Sequence, residues 1–210
     1  MTLTRMKKMN RGTLYVVSAP SGCGKGTILA EVFKRNSNVF YSVSATTRNP
    51  REGEIDGVNY HFLTREKFLE LVDNNGMLEY AEFCGNMYGT PRKAVEEKLS
   101  EGYDVILEIE TKGAKQIKEK MPEAVMIFIL PPSVNELRRR LNKRGTETEE
   151  VIEKRVSEAE GEIRQAYDYD YVMMNGELSD AIDDFMAIMR ASKYDKTKNN
   201  KIIDEVLENA

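Results

Sequence analysis

The sequence predicts an α/β fold built on a parallel sheet with helices on both faces. Three observations carry that expectation. Short continuous apolar runs recur along the chain, at Leu14–Ala19, Val105–Ile109 and Val125–Leu130. Runs of this kind suit strands covered on both faces, as strands of a parallel sheet are. Helical patterns alternate with them at the spacing of strand–helix units. The first run also leads straight into a glycine-rich segment, Ser18 to Thr27, that opens a helix.

The elements follow in order. After the first strand, Ile28, Leu29, Val32 and Phe33 fall on one face of a helix. Phe40–Ser44 and Tyr169–Met174 read as weaker strands. Residues 45–92 break the alternation. They hold Arg48-Asn49-Pro50-Arg51, an Asp56-Gly57 turn, strand-like pieces at Tyr60–Leu63 and Met77–Phe83, and a helix over Thr64–Asn74. Thr90-Pro91 opens a further helix with proline in its first position. This stretch is expected to be a small mixed α+β insertion.

Ser133 and Glu136 form a capping box for a helix through Leu137 and Leu141, which Gly145 stops. Arg138–Arg155 packs seven Lys/Arg and four Asp/Glu into eighteen residues. Ser179 caps another helix, with Ile182, Phe185, Met186 and Met189 on one face. Beyond Arg190 the chain is lysine-rich and then amphipathic (Ile202, Ile203, Val206, Leu207), either a docked helix or a frayed end.

Composition bounds the function. A chain of 210 residues is one domain, here with an inserted subdomain. A hydrophobic share of 40% supports a sizeable core and excludes global disorder. With 31 Lys+Arg against 35 Asp+Glu, the net charge of -4 argues against a nucleic-acid polymer as partner. Two cysteines, Cys23 and Cys84, are too few for a disulfide framework, and neither belongs to a metal-ligand cluster. The longest apolar run, Ala124–Leu130, falls short of the ~20 residues of a membrane span. Leu14–Val17, behind the basic start, is too short for a signal-peptide core of ~7–15 residues. A soluble, cytoplasmic protein is expected.

Ser18-Ala-Pro-Ser-Gly-Cys-Gly-Lys-Gly-Thr27 stands where a phosphate-binding P-loop must, after a strand and before a helix. Small residues let the chain wrap a phosphate so that backbone N–H groups and the helix N-terminus point at it. Ala19, Pro20, Ser21, Gly22, Cys23, Gly24, Lys25, Gly26 and Thr27 are therefore candidate ATP contacts, with the Lys25 charge on the β- and γ-phosphates. The pattern departs from G-x-x-x-x-G-K-[ST] at both ends. Ala19 replaces the first glycine, and Gly26 takes the hydroxyl position, with Thr27 one residue later. Either Thr27 reaches a Mg²⁺ ion carried by the ATP phosphates, or water fills that place. Cys23 reads as a tolerated small residue whose thiol the loop amides would make more acidic and reactive.

From about Gly12 to Arg190 the chain resembles the guanylate kinase family. The resemblance rests on SAPSGCGKGT, SVSATTRNPREGEIDGVNYHF, LEYAEFCGNMYGTP, ILEIETKGA, PPSVNELRRRL and RGTETEE, in that order. It implies a P-loop NTPase-type sheet flanked by helices, with an inserted GMP-binding subdomain and a helical lid. The implied division is a domain over 10–190 with core 10–44, 93–133 and 168–190, insertion 45–92, lid 134–167, and a tail over 191–210. It also implies Mg²⁺-dependent transfer of the ATP γ-phosphoryl group to GMP, and to dGMP. The alternatives are an inactive interaction module of the same fold and a kinase for another nucleoside monophosphate. The partners are then ATP and GMP or dGMP, in a monomer or homodimer without membrane or nucleic-acid polymer.

The resemblance assigns residues by position. Glu79 matches the acid that reads guanine, whose N1–H and N2–H₂ donors a carboxylate can accept together; adenine would leave it unpaired. On spacing alone, Glu79 reads equally as the outward residue of an alternating strand. Ser44 and Thr90 match hydroxyls on the base, and Glu110 an acid near the guanine amine. Aspartate is the more familiar residue at the positions of Glu108 and Glu110. Arg48, Arg51, Tyr60 and Tyr88 match a clamp on the acceptor phosphate, where the planar guanidinium fork meets phosphate oxygens in pairs. Arg144 and Arg155 match lid arginines that reach the phosphates, with Arg140 a further candidate, and Arg144–Glu147 reads as a hinge. Asn175 matches a residue near the adenine and also reads as a turn. Lys25, Arg48, Arg144 and Arg155 are the candidate catalytic residues. His61, the one histidine, reads as structural or surface.

Overall fold

A computed structural model describes residues 11–143 and 148–208. The chain begins with β1 (Leu14–Ser18), α1 (Lys25–Arg35), β2 (Val39–Tyr41), β3 (Ala45–Thr46), β4 (His61–Phe62) and α2 (Arg65–Asp73). It continues through β5 (Met77–Phe83), β6 (Asn86–Pro91), α3 (Arg92–Ser100), β7 (Asp104–Glu108) and α4 (Thr111–Lys120). It ends with β8 (Val125–Leu130), α5 (Val134–Lys143), α6 (Glu149–Arg164), β9 (Tyr171–Met174), α7 (Leu178–Ala191) and α8 (Lys196–Glu208). The main sheet has the order β2-β7-β1-β8-β9, and a smaller one the order β4-β3-β6-β5. The parallel α/β expectation holds.

The chain divides into two compact units, 1–18 with 36–126 and 19–35 with 127–210. In the first, β2, β7 and β1 run parallel, with Phe40 beside Val105 and Val16 beside Leu107. Every residue of β1 is buried, as its uninterrupted apolar run requires. The smaller sheet lies wholly within residues 45–91, where β5 and β6 form an antiparallel hairpin. Ala45, Phe68, Met77 and Met87 make its core, with Leu63, Leu71 and Val72 against it. Thr64 starts α2 by accepting from the Lys67 N–H.

The second unit holds the glycine-rich loop, α1, the parallel pair β8–β9 and the helices from α5 onward. Ile28, Leu29 and Val32 are the buried face of α1, and Arg35 ties that helix to Asp183 of α7. The α5–α6 hairpin has its own apolar seam of Leu137, Leu141, Ile152, Val156 and Ala159. Several of its charges pair along the surface: Arg138 with Glu153 across the hairpin, and Lys154 with Glu158 rather than with Glu150.

Several boundaries differ from expectation, each for a local reason. The weak strand at 40–44 is divided. The Ser42 N–H gives a last bond to Ile106 O, while Ser44 O already accepts from His61 N in the other sheet. Pro91 pairs with Met77 at the end of β6 and caps α3 instead of entering it. Glu177, not Ser179, caps α7; its carbonyl accepts from the Ala181 N–H. The capping box is half realised. Ser133 accepts from the Glu136 N–H, but the Glu136 carboxylate is taken by Arg139 and Arg140. Gly145 lies outside the described residues. The tail forms α8, whose Ile203, Val206 and Leu207 stay 50%, 66% and 70% exposed.

Candidate functional site

The loop between β1 and α1 is shaped by its glycines. Gly22 and Gly24 have φ values of 88° and 93°, in the region open to glycine and costly for other residues. Space is also tight. A Cβ on Gly22 would stand 2.8 Å from Leu141, and one on Gly24 would stand 2.6 Å from Asn175. Cys23 N–H donates to Pro20 O, and Thr27 N–H to Gly24 O, which turns the chain into α1 at Lys25. Gly26 and Thr27 are exposed in the first turn, and a side chain at Gly26 would meet nothing within 4 Å. The departure from the usual motif is thus sterically free at Gly26.

Three side chains of the same unit brace this loop. Arg140 donates to Cys23 O at 3.1 Å and Asn175 O at 3.2 Å, and its Nε is held by Glu136 at 2.8 Å. Asn175 is buried, and its amide donates to Cys23 O at 2.7 Å. Arg155 donates to Ser21 Oγ. Asn175 clamps loop backbone, and Arg140 spends its fork on protein carbonyls. Arg144 and the hinge at 144–147 lie outside the described residues.

The expected reactivity of Cys23 is overturned. Burial pushes its thiol up to about 11, although Arg140 and Lys25 pull the other way. Its Sγ donates to Ile129 O at 3.4 Å, so Cys23 is a packed, protonated thiol.

In the other unit three of the candidate base-reading residues, Glu79, Thr90 and Glu110, come together. Glu79 on β5 faces Thr90 on β6, and Thr90 Oγ1 donates to Glu79 Oε1 at 2.7 Å. Glu79 is only 5% exposed, so the outward-strand alternative falls. Burial pushes its carboxyl up; the Thr90 hydroxyl and Lys120 pull it down, and Glu110 adds repulsion. Glu110 caps α4, which places it near this acid. Ser44 is half-buried next to β3.

A second cluster joins the candidate phosphate clamp. The Tyr60 and Tyr88 rings meet edge-on, with centroids 6.1 Å apart. The Arg48 guanidinium lies over Tyr60 at 5.5 Å and Phe62 at 5.8 Å. Glu54 grips it with both oxygens, at 3.0 and 2.9 Å, and also accepts from the Arg51 N–H at 2.7 Å. Hydrogen bonds from Arg48 to Glu54, and to a smaller extent to Tyr88, push Arg48 further up; Arg48 and the Arg51 amide hold Glu54 down. The Arg51 side chain is exposed. Tyr41 is pushed up to about 12, mainly by burial and then by Glu108, to which it is hydrogen-bonded. His61 is a half-buried strand residue on β4.

Glu54, Tyr41, Gln116 and Lys120 belong to these clusters and escaped the sequence reading. Only Glu54 left a local signal, an acid six residues after Arg48 in one tight turn. Among the described residues no group of three or more His, Cys, Asp or Glu could hold a metal. Thr27, exposed in the first turn of α1, offers an oxygen of the kind Mg²⁺ takes beside the phosphates and waters such an ion keeps. No helix among those residues is long and apolar enough to cross a membrane.

The chain is similar to known proteins. A family model described as guanylate kinase matches residues 11–192. The guanylate kinase of Carboxydothermus hydrogenoformans is 52% identical over 91% of this chain and 94% of its own length. That of Thermus thermophilus is 54% identical over 90% and 83%. The crystal structure of guanylate kinase from Anaplasma phagocytophilum superposes with a TM-score of 0.73 at 36% identity, covering 90% of each chain.

Proposed function

The chain belongs to the guanylate kinase family, and from that premise we propose how its residues divide the work. It is a nucleoside monophosphate kinase that phosphorylates GMP with ATP. The base-reading half rests on one observation, the buried Glu79 carboxylate tied to Thr90. A desolvated acid is costly unless its ligand supplies donors, and the guanine N1–H and N2–H₂ supply two. Adenine offers neither in that arrangement. Ser44 and Glu110 complete the base contacts.

The acceptor phosphate is held by Arg48, Arg51, Tyr60 and Tyr88. Glu54 and the aromatic faces fix the Arg48 fork in advance, which lowers the ordering cost of binding. In the other unit, loop amides from Ala19 to Thr27 and the Lys25 ammonium cradle the donor phosphates, with Arg155 adding positive charge; Arg144, outside the described residues, is assigned the same task by its sequence block. The acceptor oxygen is already ionised, so no base is required, and catalysis is positioning and charge stabilisation. Mg²⁺ carried by ATP would neutralise phosphate charge, with Thr27 or water completing its shell. Residues 45–92 serve as the acceptor-binding insertion, 134–167 as the lid that excludes water, and 10–44, 93–133 and 168–190 as the core, in a cytoplasmic enzyme.

A coupled assay with ATP across GMP, dGMP, AMP, UMP and dTMP tests this reading. Turnover with GMP and dGMP alone is expected. A preference for AMP or UMP would refute the guanine-reading role of Glu79.

A further inference from the structure

β5 is an edge strand of its sheet, so the outward backbone groups on either side of Glu79 need partners other than a strand. Helix α4 supplies them. Lys120 Nζ donates to Leu78 O at 2.7 Å. The Gln116 amide donates to Tyr80 O at 2.8 Å and accepts from Tyr80 N at 3.2 Å, pairing with the strand as another strand would. Gly113 completes the row. A Cβ there would stand 3.0 Å from Glu79 Cδ and closer still to Oε2. Positions 113, 116 and 120 are i, i+3 and i+7, one face of a helix. Thr90 meanwhile holds the other carboxylate oxygen.

We propose that Gly113, Gln116 and Lys120 set guanine selectivity by fixing the depth and plane of the Glu79 carboxylate. Gly113 is the specificity-determining position, because its missing side chain is the space the acid occupies. Gln116 and Lys120 are positioning residues that pin the backbone at 78 and 80. The proposal rests on Glu79 being the guanine acceptor. A displacement of about 1 Å can cost about 100-fold where geometry is exacting.

Kinetics of four variants, with thermal midpoints measured alongside, test it. Gly113→Ala displaces only the far end of a flexible side chain, and alanine favours a helix, so folding is retained. Its KM for GMP should rise about tenfold or more while that for ATP stays within about twofold. Lys120→Met should raise the GMP value several-fold, and Lys120→Arg should restore most of it; this pair also serves if Gly113→Ala does not fold. Glu79→Gln is the reference. If it raises the KM for GMP while folded Gly113→Ala and Lys120→Met do not, the α4 proposal is overturned and the Glu79 reading stands. Equal changes for ATP and GMP would likewise overturn it, marking a merely structural role. If Glu79→Gln leaves GMP unchanged, the reading of Glu79 fails and this proposal with it.

Discussion

In the role proposed for it, Glu79 faces opposite demands in the free and the nucleotide-bound protein. Burial raises its pKa above the ordinary 4.5, so the native state holds the proton more tightly than the unfolded chain does. Its contribution to stability is then fullest below that ordinary value and is lost as pH rises through the raised one. Glu79→Gln keeps an acceptor for Thr90 and removes the charge. The ligand-free variant should therefore melt a few degrees higher than the parent near pH 7.5, with the gain shrinking towards pH 4.5. Thermal melts at the two pH values check this, and a variant less stable at the higher pH would refute it. The residue itself was legible through its sequence block, as were Arg48, Tyr60, Tyr88 and Thr90. Its supports were not. Gln116 lies 36 positions from Tyr80 and Lys120 lies 42 from Leu78, so these contacts exist only once α4 meets β5. The Cys23 expectation failed for a similar reason: the loop motif suggested amides around the thiol, while the fold supplies burial.

At the scale of elements, the α5–α6 hairpin shows which charges matter. Arg139 and Arg140 hold the Glu136 carboxyl down to about 2. A depressed acid contributes above its ordinary value of 4.5 and loses that contribution only as pH falls through about 2. The Arg140 brace on Cys23 O and Asn175 O thus persists across any working pH, and the KM for ATP should show no acid limb from it. Glu136→Ala should raise that KM only a few-fold, since Arg140 keeps both carbonyl acceptors without Glu136. Arg140→Met takes the Arg140 donor from Asn175 O and leaves Cys23 O with the Asn175 amide alone, and should raise the KM for ATP roughly tenfold. Steady-state kinetics decide, and an Arg140→Met enzyme with an unchanged KM for ATP would show that the loop needs no brace. Elements buried on both faces were legible to within about a residue, β1 and β8 among them. The two-residue strand β3 was not, because its partners define it and composition does not. Gly89 and Pro91 likewise disguised β6, whose identity comes from pairing with β5.

For the whole molecule, a net charge of -4 coexists with cations gathered at two clusters. The residues assigned to ATP come from 19–35 and 127–210, and those assigned to GMP from 36–126. If binding divides as the chain does, damage to one set should leave the other ligand's affinity intact. Lys25→Met removes the charge meant for the β- and γ-phosphates. It should weaken ATP and lower kcat on the order of 10²–10³-fold, the usual cost of losing a group that stabilises developing charge. The Kd for GMP, measured by calorimetry without ATP, should stay within about twofold of the parent, because none of Ser44, Arg48, Tyr60, Glu79, Tyr88 or Thr90 is touched. Glu79→Gln should give the reverse pattern, with ATP affinity intact and GMP affinity lost. Should Lys25→Met weaken both nucleotides equally, the two sets would form one cooperative unit, and assigning each residue to a single ligand would be wrong.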